Sequence, residues 1–145
     1  MSESGAPAGA MSAEEREKFL ADLHVGVLSV DEPGRGPHAL PIWYLYVDGE
    51  ILIGIDGASR KAALLRAAGR ASMTVQTETA PYQYVSIEGP VELAPAMHDE
   101  LALASRYLGD ELGAWYVEQN PRTDDSLTIR LRPEHWRTFD FAKLF

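Results

Sequence analysis

Between Gln83 and Leu93 the chain alternates well. Val85, Ile87, Gly89, Val91 and Leu93 fall on one side, and Tyr84, Ser86, Glu88, Pro90 and Glu92 on the other. This is a β-strand longer than the usual length of about five or six residues. Gly89-Pro90 interrupts it, and such a step marks a bulge or bend where a sheet curls toward a barrel. The other segments must give this bent strand antiparallel neighbours. Closure into a barrel is the usual way to remove the edges that remain.

The neighbours are legible. Val25, Val27 and Leu28 to Val30 suit a strand, and the Pro/Gly-rich loop Asp31–Pro37 leads to a second, about His38 to Val47. Pro41 has no N–H to donate, so it marks a bulge or an edge. Asp48-Gly49 is a hairpin signal before a strand over Glu50 to Ile55. Ala71–Thr77 and Ser126–Leu131 are further strands, and Arg132-Pro133-Glu134 turns into a last one carrying Trp136, Phe139 and Phe141. Ser12-Ala13-Glu14-Glu15 is a capping box that starts a helix running to about Leu23. Helices are also expected from Lys61 to Ala68, stopped by Gly69, from Met97 to Leu108, and from Glu111 to Gln119, capped by Asp110. The pattern predicts a mainly β, α+β fold: a small Greek-key-like barrel of about six to seven antiparallel strands with peripheral helices. Helices so unevenly placed argue against a doubly wound parallel sheet.

A chain of 145 residues, 46% hydrophobic and 24% charged, suits one soluble domain with a real core. Residues 1–11 are a Ser/Gly/Ala/Pro tail expected to be disordered, and residues 12–145 form the domain. The tail lacks the basic region of a secretory signal, and no apolar run is long enough for a membrane helix. Cysteine is absent, which excludes disulfides and thiolate chemistry and fits a cytoplasmic setting. The net charge of −9 argues against nucleic acid and acidic membranes as partners.

The chemistry-bearing stretch is Ser59-Arg60-Lys61, where a buried strand hands over to a helix. Orphan N–H groups and the positive end of the helix dipole gather there. Arg60 can grip phosphate oxygens in a fork, and Lys61 adds a point charge. The bland alternative is an N-cap serine followed by solvated charges. Trp43 and Tyr44 follow the proline-interrupted part of their strand, where a flat ligand can approach; they serve equally as core or dimer contacts. No nucleophile elbow occurs. His24, His38, His98 and His135 lack metal-ligand spacing, and His98-Asp99-Glu100 reads as a solvated helical stretch.

These residues carry a resemblance. Ser59-Arg60-Lys61-Ala62 resembles the phosphate motif of the pyridoxamine 5′-phosphate oxidase-like split-barrel family, and Leu40-Pro41-Ile42-Trp43-Tyr44 its ring-bordering second strand. Ala71–Gln76, Pro81–Gly89 and Arg106–Gly109 resemble the branch that uses the deazaflavin F420. The resemblance implies a split-barrel domain over residues 12–145 that binds F420, with FMN as the alternative cofactor. It implies hydride transfer to or from a small organic substrate, or else a non-catalytic carrier of the same cofactors. The implied contacts are Pro41, Ile42, Trp43, Tyr44, Ser59, Arg60, Lys61, Gln76 and Tyr84, with no metal and no assigned catalytic side chain. It also implies a homodimer with cofactor sites at the subunit interface. Trp43, Tyr44, Tyr84 and Trp136 supply more aromatic surface than one small core needs.

Overall fold

The long alternating strand is the hinge of the molecule. In the computed structural model, which describes residues 7–145, it runs over Gln83–Pro95 as β6. Its first part lies between β5 (Arg70–Gln76) and β8 (His135–Asp140). From Val91 onward it pairs with β7 (Ser126–Leu131) instead. β7 and β8 thus follow one another along the same edge of β6, and the switch falls at Gly89-Pro90. A Cβ on Gly89 would sit 1.9 Å from the Arg132 carbonyl oxygen, so only glycine lets the β7–β8 turn pass.

The other strands are β1 (Gly26–Val30), β2 (His38–Ile42), β3 (Leu45–Val47) and β4 (Glu50–Asp56). The path β2-β1-β5-β6-β7-β4-β3 is antiparallel throughout. Its two ends are consecutive in the chain, joined by Trp43-Tyr44, so the sheet curls back on itself as a split barrel. Eight strands are present among the described residues, against the six to seven expected. The second expected strand is two: β2 pairs with β1 and β3 with β4, and the chain breaks pairing where it crosses between them. Pro41 sits on β2, opposite Val27, at an end of the path, as an edge proline should.

The inward residues Leu28, Ile51, Ile53, Met73, Val75, Val85, Ile87, Ile129 and Leu131 fill the barrel. Helix α1 (Ala13–Ala21) starts on the expected capping box: Ser12 Oγ accepts from Glu15 N–H at 3.1 Å, and Glu15 accepts from Ser12 N–H at 2.8 Å. It ends two residues early, and Phe19 and Leu20 join the core. Helix α2 (Arg60–Ala68) buries Ala62 and Leu65, and Gly69 closes it in a left-handed conformation. Helices α3 (Glu100–Leu108) and α4 (Asp110–Gln119) form a hairpin. α3 starts three residues later than expected, with Asp99 as its N-cap. Between α3 and α4, Gly113 packs against Ser105, 2.7 Å from the Ser105 Cα to a hypothetical Cβ.

Part of the expected tail is ordered. Ala10 N–H donates to Pro7 O, Asp140 N–H to Gly9 O, and Met11 N–H to Thr138 Oγ, so Pro7 to Met11 are fastened to β8. Residues 1–6 lie outside the described residues. Phe141 leaves β8 and opens a short 3-10 turn. No helix among the described residues is long and apolar enough to cross a membrane.

Candidate functional site

The outward faces of β4 and β7 and the α3–α4 hairpin enclose a cavity of about 790 Å³. Pro41, Ile42 and Trp43 close one end, Ile53 to Asp56 supply one wall, and Leu103, Ala104, Tyr116 and Val117 the helical side. The Trp43 end is rigidly built. Its indole stacks on Tyr107 at 5.2 Å between centroids and 6° between planes, with Tyr116 tilted against it at 5.3 Å. Tyr107 Oη donates to His24 O at 2.6 Å and accepts from Tyr44 N–H at 3.2 Å, which ties α3 to the β2–β3 link. Arg106 donates to the carbonyls of Ala21 and Asp22 at the end of α1, a favourable place for a cation. Its guanidinium also lies over the Tyr44 and Tyr107 rings.

Tyr44 itself is wholly buried, its hydroxyl donating to Leu20 O at 2.6 Å, and burial pushes its pKa up. The expectation that its side chain borders a ligand is therefore corrected: the ring is core, and its backbone N–H is engaged by Tyr107.

Strand β4 leads from the cavity wall through Gly57-Ala58 to the head of α2. Gly57 N–H donates to Asp125 O at 2.7 Å, and a Cβ at this position would lie 2.8 Å from that oxygen, so the tight approach requires glycine. Ser59 is the N-cap; its hydroxyl accepts from Ala62 N–H at 3.2 Å. The N–H groups of Arg60 and Lys61 have no acceptor among the described residues. Arg60 is paired with Glu32, and that hydrogen bond holds the Glu32 carboxyl below the usual range. Lys61 has no ion-pair partner among the described residues, and partial burial lowers its pKa. Two free N–H donors and an uncompensated ammonium at a helix head are a donor set that fits an anion such as a phosphate.

Gln76 and Tyr84 are register partners on the outward face of β5 and β6, and Tyr84 stacks on Phe139 at 6.4 Å. They do not line the cavity. The expected contacts thus fall in four places: the cavity end, the core at Tyr44, the α2 head beyond the cavity on β4, and an exposed sheet face.

Sequence reading missed His98, which was expected on a solvated helix. It is 8% exposed and lines the cavity, with Nδ1 2.7 Å from the Oγ of wholly buried Thr128. The guanidinium of Arg122 binds His98 O and pairs with Glu100 at 2.8 Å. The only hint was that His98 precedes an N-cap aspartate; nothing local foretold that the hairpin would cover Thr128. The described residues hold no cluster of three or more potential metal ligands.

A family profile described as pyridoxamine 5′-phosphate oxidase matches residues 12–140. No curated protein matches the sequence. Among solved structures, a conserved hypothetical protein of Mycobacterium tuberculosis superposes with a TM-score of 0.79 at 25% identity, over 98% of this chain and 92% of that one. A FAD-binding protein of Mesorhizobium loti gives 0.65 at 20% identity, over 88% and 94%. A protein described as an F420 reductase gives 0.61 at 21% identity, over 83% and 94%.

Proposed function

This chain belongs to the pyridoxamine 5′-phosphate oxidase family, and from that membership we propose that it is an oxidoreductase moving a hydride between a bound F420, or alternatively FMN, and a small organic molecule. The observation that carries the reading is Lys61, without an ion-pair partner among the described residues, beside two N–H groups without an acceptor among them, one strand-end away from a large cavity. Lys61 and the Arg60 and Lys61 N–H groups hold the cofactor phosphate. Ser59 shapes the turn, because its hydroxyl already serves Ala62. The β2 end from Pro41 to Trp43 borders the ring, with Trp43 held in advance by Tyr107 and Tyr116. The bound cofactor supplies the hydride chemistry, so the chain needs no acid–base side chain of its own for it. Leu103, Ala104 and Val117 keep water from the cavity.

F420 is favoured over FMN by the Pro81–Gly89 and Arg106–Gly109 segments, and a structural relative is described as an F420 reductase. The exposed face of β1, β2, β5, β6 and β8, with Val27, Pro41 and Tyr84, is the surface for a second copy, which brings Gln76 and Tyr84 into the reading as interface contacts. The setting we propose is cytoplasmic. A carrier that holds the same cofactor without turnover uses the same contacts and differs only in leaving every acceptor unreduced. Absorbance titration with F420 and with FMN tests the reading. Saturable binding of F420 at least as tight as FMN supports it, and binding of neither removes it.

A further inference from the structure

The one buried carboxylate among the described residues stands beside the head of α2. Glu32 is 8% exposed and belongs to the β1–β2 loop, where Arg35 N–H donates to its carbonyl at 2.9 Å. A buried carboxylate needs an answering charge. The Arg60 guanidinium supplies it, and His38 Nδ1 of β2 lies 3.7 Å from the other carboxylate oxygen. Arg35 is exposed and acts on Glu32 through the field alone. The Arg60 hydrogen bond outweighs burial, so Glu32 stays ionised. The cations that follow in the chain are occupied as well. Arg66 donates to Gly57 O at 3.1 Å, and Arg70 pairs with Glu88 at 2.9 Å and Glu134 at 2.7 Å. Half-buried Lys61 is the α2 cation left to face a ligand.

The Arg60 and Glu32 charges offset one another. The head therefore offers one ammonium and two N–H groups, with a carboxylate close behind them. Coulomb energy is proportional to the ligand's charge, so Glu32 opposes a doubly charged ligand about twice as strongly as a singly charged one. A phosphomonoester is largely doubly charged above its second pKa of about 6, whereas a phosphodiester carries a single charge. The monoester's second charge loses hydration that one ammonium cannot replace.

We propose that Glu32 is the selectivity residue of the α2 head, favouring a singly charged phosphodiester over a doubly charged phosphomonoester. The proposal rests on reading that head as the phosphate's place. Glu32 touches no ligand; it holds and neutralises Arg60, and is a positioning residue.

The test is calorimetric titration of the full chain at about pH 8 with riboflavin, FMN and the phosphate methyl ester of FMN. The three share one ring and differ in phosphate charge. In the wild type both phosphates bind more tightly than riboflavin, and the ester binds at least as tightly as FMN. Glu32→Gln keeps the side chain's shape and removes its charge; it tightens FMN by about tenfold and the ester by about threefold. Arg60→Gln uncovers the Glu32 charge and weakens both, FMN more than the ester. The double variant restores the wild-type net charge, and its FMN-to-ester affinity ratio returns to within about twofold of wild type. A merely structural Glu32 would shift both phosphates alike. If neither phosphate binds more tightly than riboflavin, the phosphate site and the proposal fall together. Where both phosphates do, the proposal alone is overturned by any of three results. These are tighter FMN than ester in the wild type, equal shifts of the two in Glu32→Gln, or a double variant that loses both, since Arg60 would then grip the phosphate itself.

Discussion

On β4 and β7 the outward residues Gly54 and Thr128 lie beneath His98 and the segment entering α3, and Arg130 is tied to Glu50 at 3.0 Å and Glu92 at 3.0 Å. On β1, β5 and β6 the equivalent residues Val27, Thr74, Ser86 and Tyr84 stay exposed or half-exposed. Both faces come from the same inward–outward alternation. One is finished by the chain's own helices and encloses a cavity. The other carries Val27, Thr74, Ser86 and Tyr84 beside the exposed Arg70–Glu88 pair, with no covering helix among the described residues, and it is the surface proposed for a second copy. Tyr44 stands at the link between the two, and Lys61 at the end of the strand that leads out of the covered half.

The hardest blow to this arrangement is Tyr44→Ala. It empties a wholly buried site and removes the bond to Leu20, so unfolding free energy should fall by about 3–5 kcal/mol in chemical denaturation. A loss below about 1 kcal/mol would show that the link is not a packed joint. Ser86→Arg separates the two faces. It puts an unpaired charge in the proposed interface, so dimer dissociation should strengthen by about a hundredfold or more while the monomer's melting temperature barely moves. Light scattering at one chain mass for the wild type would break the comparison outright. Lys61→Ala should weaken F420 or FMN by about one to two orders of magnitude, with Lys18→Ala, at an exposed side chain of α1, as the inert control.

The smallest effect is a pH slope. His98 and His24 are both held below the usual histidine value of 6.5, chiefly by burial. Below that value the unfolded chain binds protons that the folded chain does not. Stability is therefore complete above about pH 6.5 and declines as pH falls toward the folded-state values. The non-titrating His98→Gln should flatten that decline; an unchanged slope means His98 is not held neutral.

The sequence revealed what local rules govern. The Ser12/Glu15 capping box, the Ser59 cap, the Gly69 stop and the bend at Gly89-Pro90 each depend on residues close in the chain, and each is present. What stayed hidden depends on distant partners. The break at Trp43-Tyr44 arises because β1 and β4 claim opposite ends of one apparent strand. Thr128 alternates like a solvated residue, and only a hairpin packed from elsewhere buries it beside His98. Arg60 reads as a free cation until Glu32 arrives from the β1–β2 loop. Motif spacing therefore located the α2 head, while the cavity and its buried histidine required the fold.

The central claim is that the head of α2 receives the cofactor's phosphate. Backbone amide NMR during titration with F420 tests it most directly, because the Arg60 and Lys61 N–H groups have no acceptor among the described residues. The account predicts that these two amides show the largest shifts, with Trp43 following as the ring end fills. Shifts that bypass Arg60 and Lys61 while F420 binds would contradict it.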